Sequence, residues 1–240
     1  MNHCDREDGS TLLGTGTLAP GGGAHCAQAR VAFADLLPGS HTITAQYGGD
    51  GNFLAGGPET VTETVTCANV VTGDVRGGVE ATAPSTCVIG ATVHGTVHGA
   101  ADGALFIGGS TVFGSVHSAN GTLFGLCGTT VTGTLEVDGA SGFVVVGDPA
   151  DDGCAGNRVN GSVHLGDNHA GAELIANRIG GTVEVDGTTG TGPFPEDNRA
   201  EIEGNTIGGS LLCVGNTPPP TNGGNPNTVG GSRAGQCANL

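Results

Sequence analysis

The chain has 240 residues, 48 of them Gly, no Trp, and a formal charge of −16. With seven basic residues, all Arg, and no basic stripe, neither nucleic acid nor an anionic membrane surface is an expected partner. No run of about 18 apolar residues exists to span a bilayer, and glycine-rich sequence without a Gly-X-Y period is not collagen.

The chain opens on Met1-Asn-His-Cys-Asp-Arg6, which lacks the basic start and apolar stretch of a signal peptide. Its eight cysteines nevertheless point to an oxidising compartment. The expectation is a fragment of a longer exported protein, secreted or held at a cell surface.

Residues 1–66 read as a separate domain. Strand-like segments are Gly14-Thr-Gly-Thr-Leu18, Gln28-Ala-Arg-Val-Ala-Phe33, His41-Thr-Ile-Thr-Ala-Gln-Tyr47 and Val61-Thr-Glu-Thr-Val65. In the third, Ile43, Ala45 and Tyr47 share one face. Turns such as Leu37-Pro-Gly-Ser40 and Gly48-Gly-Asp-Gly-Asn52 separate them. Asp8-Gly-Ser-Thr-Leu-Leu-Gly14, with Leu37-Pro-Gly-Ser-His-Thr-Ile-Thr-Ala-Gln-Tyr-Gly-Gly-Asp-Gly-Asn-Phe53, resembles the bacterial immunoglobulin-like repeats of surface proteins. That resemblance covers about residues 5–66 and implies a stalk or adhesive spacer without catalytic residues. The strands fall short of the roughly seven an immunoglobulin-like sandwich needs, so the domain reads as partial.

Residues 67–240 carry a repeat: aliphatic, any residue, Gly, small polar, usually aliphatic. Its eight copies begin at Val71, Val93, Val112, Val131, Val159, Ile179, Ile207 and Val229, spaced 22, 19, 19, 28, 20, 28 and 22 residues apart. A period near 20 with apolar positions in fixed phase indicates a β-solenoid of about eight coils, each burying its apolar column on the next. Further apolar runs complete the coils, among them Leu105-Phe-Ile107, Leu123-Phe124, Phe143-Val-Val-Val146, Leu174-Ile175 and Glu201-Ile-Glu203. Two residues before the repeat stand Asn69, Asn157, Asn177, Asn205 and Asn227. Such a column suits tight turns whose amides bond from coil to coil. It resembles the asparagine ladder of right-handed parallel β-helices of the pectate-lyase-like architecture. That architecture hosts lyases, hydrolases, adhesins and tailspikes, so it does not select a function.

Phase also pairs the cysteines. Cys67 and Cys87, Cys127 and Cys154, and Cys213 and Cys237 hold similar positions in neighbouring coils. Coils about 4.8 Å apart lie within disulfide reach, which leaves Cys4 with Cys26. A zinc–thiolate site is disfavoured because no C-x-x-C occurs. The longer spacings hold insertions at Asp148–Gly153 and at 188–197, and Pro218–Pro226 forms another irregular loop. Loops on a solenoid flank either form a binding face or are tolerated insertions.

Five residues after each repeat start come His98, His117, Glu136, His164, Glu184 and Leu212, a column expected to face solvent. His98, His117 and Glu136, with His94 nearby, form a candidate zinc-type ligand set, although a flat ladder presents its side chains in parallel. The acid pairs Glu136 with Asp138 and Glu184 with Asp186 have the separation of glycosidase carboxylates. Asp138 and Asp186 each precede Gly and equally fit turns. Arg158 and Arg178 are candidate bases for a lyase, or partners for nearby acids. Asp148, Asp151 and Asp152 could hold calcium but match no dedicated loop.

The composite expectation is an all-β chain: a partial immunoglobulin-like β-sandwich over 1–66, then a right-handed parallel β-helix with disulfide staples over 67–240. The expected role is structural or adhesive, binding a glycan or surface protein, without a cofactor beyond calcium or zinc. The alternative is a polysaccharide-active lyase or hydrolase using Glu136, Asp138, Glu184 and Asp186.

Overall fold

The computed structural model describes residues 3–8, 11–20, 27–29, 36–150, 152–190 and 198–240. The chain is all-β and divides into two compact units, Met1–Thr66 and Cys67–Leu240. In the first unit, Thr11–Thr17, His3–Asp8, Gly39–Tyr47 and Gly56–Val65 lie side by side in one antiparallel sheet. A short ribbon pairs Ala19–Pro20 with Ala27–Gln28. Alternation works as expected in Gly39–Tyr47, where Ile43 is buried and Thr42 and Gln46 are exposed. The central strand His3–Asp8 was not expected, because His-Cys-Asp-Arg-Glu-Asp has no apolar alternation. Most of the predicted strand 28–33, and the Cys4–Cys26 pairing, fall outside the described residues.

The second unit is a parallel solenoid. One face is an eight-stranded parallel sheet running from Val79–Glu80 to Arg233–Gly235. The other two faces are joined through the long strand Ser85–Val93. Its first part pairs with Ala104–Gly108 and its last two residues with Thr111–Val112. Each face then stacks coil on coil to Ala200–Glu203 and Thr228–Val229 respectively. Six of the eight repeat starts, Val93, Val112, Val131, Val159, Ile179 and Ile207, are at most 1 % exposed and belong to one continuous core, against which Val71 and Val229 pack half-buried.

The first repeat copy departs from the expected register. Val71 pairs with Val88, and it is Val75 that pairs with Val93. The chain holds two overlapping segments, Val71–Val75, which matches the repeat, and Val75-Arg-Gly-Gly-Val79, with Gly78 at the small polar position, and the fold uses the second. The reason lies in the turn. A Cβ at Gly95 would lie 2.6 Å from Gly78 N, so the two glycine turns stack back to back with no room for a side chain. Asn69 therefore lies outside the asparagine column. It is exposed and bonds Thr82 and the Ser85 carbonyl instead.

The remaining asparagines form the expected ladder. The Asn157 amide donates to Asn177 Oδ1 at 3.0 Å, Asn177 to Asn205 at 3.1 Å, and Asn205 to Asn227 at 2.9 Å. Each also satisfies a backbone carbonyl, so the buried amides are well bonded. Upstream, smaller hydroxyls continue the column: Thr129 N donates to Asn157, Ser110 N to Thr129, and Ala91 N to Ser110. A second column, nine residues after the repeat starts, went unread in the sequence. There Asn168 accepts from Ala140 N, and Asn216 from Thr188 N.

Three disulfides join Cys67 to Cys87, Cys127 to Cys154, and Cys213 to Cys237, with Cα separations of 5.7, 4.8 and 5.2 Å. They follow the phase of the repeat, because parallel coils bring equivalent positions to disulfide distance. The insertion after Gly147 closes on itself through reciprocal backbone hydrogen bonds between Asp148 and Cys154. Of the 188–197 insertion, 191–197 lie outside the described residues, as does Asp151.

Candidate functional site

The solvent face of the eight-stranded sheet carries the column that the sequence singled out. Glu80, His98, His117, Glu136, His164, Glu184, Leu212 and Ala234 are register partners in successive coils. Their chain neighbours point inward: Val116, Ser118, Leu135, Val137, Val163, Leu165, Val183 and Val185 are all at most 4 % exposed. Two-residue alternation on a stacked sheet places the column outside.

The expected trio His98, His117 and Glu136 does not converge. The rings of His98 and His117 lie stacked at 5.5 Å and 18°. His117 Nδ1 meets Glu136 Oε2 at 2.9 Å. His94 sits in the preceding turn, where it bonds Asp74 at 2.7 Å and stacks on Phe113.

Convergence occurs one coil further on. Asp138, Gly166 and Asp186 are register partners, so a gap in the aspartate column falls at Gly166. The His164 imidazole lies across that gap. Its Nε2 is 2.7 Å from Asp186 Oδ1 and its Nδ1 is 3.3 Å from Asp138 Oδ1. A Cβ at Gly166 would lie 2.5 Å from Asp138 Oδ1 and 2.9 Å from His164 Cε1, so glycine is what admits the ring. Glu136, Asp138 and His164 bring three ligand atoms within 4.8 Å of one another. Asp138 and Asp186 are thus more than turn residues, and His164 ties the two acid pairs together.

The electrostatics follow from this crowding. Hydrogen bonding to His117, then to Asp138, holds the Glu136 pKa below its ordinary value. Desolvation pushes Asp138 up; His164 partly opposes this, and Glu136 and Asp186 add to it. For His164, desolvation works against the charged ring. The Asp186 hydrogen bond and the charges of Asp138, Asp186 and Glu184 outweigh it and leave the pKa raised.

A second group joins Asp148, Asp152 and Glu173, again with ligand atoms within 4.8 Å. Glu173 was missed because it belongs to the next coil, on Ala172–Ile175 beside Val144–Val146. The signal was an acid inside an otherwise apolar strand, where Glu173 is only 5 % exposed.

Arg158 and Arg178 are exposed register partners on a third face, within the thirteen-stranded sheet. They line an open groove with Asn160, Gly180, Thr206 and Gly208. Neither forms an ion pair among the described residues. The acid pairs stand on the other sheet, on strands Leu135–Asp138 and Val183–Asp186, so the fold places arginines and acids on different faces.

No protein-family model matches the chain, and neither a curated protein nor a solved structure matches it. No helix is long and apolar enough to cross a membrane, among the described residues.

Proposed function

We propose that the chain is part of an extracellular structural or adhesive protein, in which the solenoid presents side chains for glycan or protein recognition. In this reading residues 67–240 form a right-handed β-helix of the pectate-lyase-like architecture, supported by the asparagine ladder. Residues 1–66 are part of a bacterial immunoglobulin-like domain, supported by their antiparallel sheet.

The observation that carries the recognition role is the Arg158–Arg178 groove. Like charges directly opposite each other destabilise a sheet. Yet this acidic chain sets two of its few arginines side by side, with no acid paired to either among the described residues. Two register-paired arginines in a groove also lined by Gly180 and Gly208 suit carboxylate or sulfate groups of a glycan, or an acidic protein surface. The test is a glycan array and a pull-down with wild type and with Arg158→Glu/Arg178→Glu. Binding to acidic glycans or acidic partners should fall by about tenfold or more and weaken with salt. Undiminished binding by the charge-reversed variant would remove the groove from the proposal.

A polysaccharide-active enzyme is the second reading. It is favoured by the closeness of Glu136 and Asp138 and the opposite displacement of their pKa values. Release of reducing sugar, or absorbance from unsaturated products, that is lost in Glu136→Gln would replace the adhesive reading with this one.

A further inference from the structure

We infer that Glu136, Asp138 and His164 form a binding site for one divalent transition-type cation, such as zinc, with Asp186 and His117 orienting the ligands from outside. This goes beyond the proposed recognition role and does not depend on it.

A neutral imidazole has one N–H. The shorter contact, Nε2 to Asp186 at 2.7 Å, takes it as a donated hydrogen bond. With the ring neutral, its Nδ1 lone pair faces Asp138 Oδ1 at 3.3 Å; with the ring protonated, a second N–H lies between them. Glu136 adds a third acceptor to the same space. This crowding of acceptors favours a positive centre among them, either added protons or a metal ion.

The surroundings favour a metal ion. A ligating histidine characteristically donates its other N–H to a carboxylate, which fixes its tautomer and strengthens its basicity. Asp186 stands in that relation to His164. A ligating carboxylate is in turn held by a hydrogen bond, and His117 Nδ1 holds Glu136 Oε2 at 2.9 Å. Space is provided as well, because the absent side chain at Gly166 leaves the volume in which ring and carboxylates meet. One imidazole and two carboxylates make a mixed nitrogen–oxygen set, suited to zinc, manganese or cobalt, with water completing the sphere. The three ligands come from two neighbouring strands, Leu135–Asp138 and Val163–Gly166, whose spacing the solenoid core fixes.

The test uses the untagged full chain titrated with Zn²⁺ by calorimetry, repeated in buffers of different protonation enthalpy, with Co²⁺ as an absorbing substitute. One saturable site is expected, with a raised melting temperature in Zn²⁺. His164→Gln and Asp138→Asn should abolish saturable binding. Asp186→Asn should weaken it by about 10–100-fold while leaving the three ligands in place. Gly166→Ala, which crowds the site without removing a ligand, should also weaken it. Circular dichroism and metal-free melting curves establish that each variant is folded. The ring nitrogens of His164, followed by nitrogen NMR, should show Nδ1 changing on addition of Zn²⁺ while Nε2 keeps its proton.

Three results would overturn the inference. One is the absence of saturable Zn²⁺ binding to the folded wild type. Another is binding that survives His164→Gln but is lost in Asp152→Asn, which would place the ion among Asp148, Asp152 and Glu173. The last is a doubly protonated His164 ring that Zn²⁺ does not change, which would mean that protons alone occupy the site.

Discussion

The two units handle an exposed β-surface in opposite ways. In the solenoid every strand of the eight-stranded sheet except the terminal two has a parallel neighbour on each side, and alternate residues are almost wholly buried. In the first unit, Gly56–Val65 lies at the edge of the sheet and is exposed along nearly its whole length, Val61 at 57 %. The lesson is that the same kind of valine- and threonine-rich segment is stabilised by different things. Stacked coils supply long-range burial and bonded amides; the edge strand depends mainly on its backbone pairing and on local turns.

The largest effect should come from charging the stacked core. Ile179→Asp places an unpaired carboxylate at a site 1 % exposed and should cost about 4 kcal/mol or more. Val61→Asp, and Glu184→Gln on the solenoid surface, should each cost under about 0.5 kcal/mol. Denaturant melts of the three variants check this, and equal midpoints would refute the inward–outward assignment.

The staples should come next. Removing the Cys127–Cys154 link, whose partners are 27 residues apart, frees a loop and should cost roughly 3 kcal/mol. Peptide mapping without reduction should recover this link together with 67–87 and 213–237. Recovery of these six cysteines as free thiols in protein exported by its native host would oppose both the pairing and the exported location.

The ladder ranks third. Asn177→Ala removes the acceptor of the Asn157 backbone N–H and of one Asn157 side-chain N–H, and the donor to the Val146 carbonyl, costing about 2 kcal/mol. Asn69→Ala, at an exposed site off the ladder, should be nearly neutral. Thermal melts of the two variants that shift equally would show that the ladder contributes nothing beyond its backbone.

The smallest effect is in the first unit and is pH-dependent. Asp50 Oδ1 accepts the backbone N–H groups of Asn52 at 2.7 Å and Phe53 at 2.8 Å, which lower its pKa. A depressed folded-state pKa means that this contribution is complete above the ordinary carboxylate pKa of about 4. It is lost as pH falls through the lower folded value. The Asn52 and Phe53 amide shifts should therefore hold steady from neutral pH to about 4 and move only below it. The same movement near pH 5 would mean that the turn does not hold its carboxylate ionised.

Much of the solenoid was legible in the chain alone. The repeat fixed which residues face the core, since period-two alternation in a stacked strand leaves one choice. Phase likewise brought Cys127 to Cys154 and Asn177 to Asn205, because parallel coils place equivalent positions one strand spacing apart. Repeat phase and alternation also gave the outward column of His117, Glu136, His164 and Glu184. The tertiary structure decided what repeats cannot encode. It chose Val75 over Val71 as the first repeat start, because glycine turns stack only in that register. It also drew Glu173 beside Asp148 and Asp152, across coils separated by an insertion. Above all, it laid His164 over Gly166 between two aspartates. A side chain's direction on an open sheet depends on what its neighbours lack as much as on what they carry, and a missing Cβ one position away becomes a site only when the next coils lie against it.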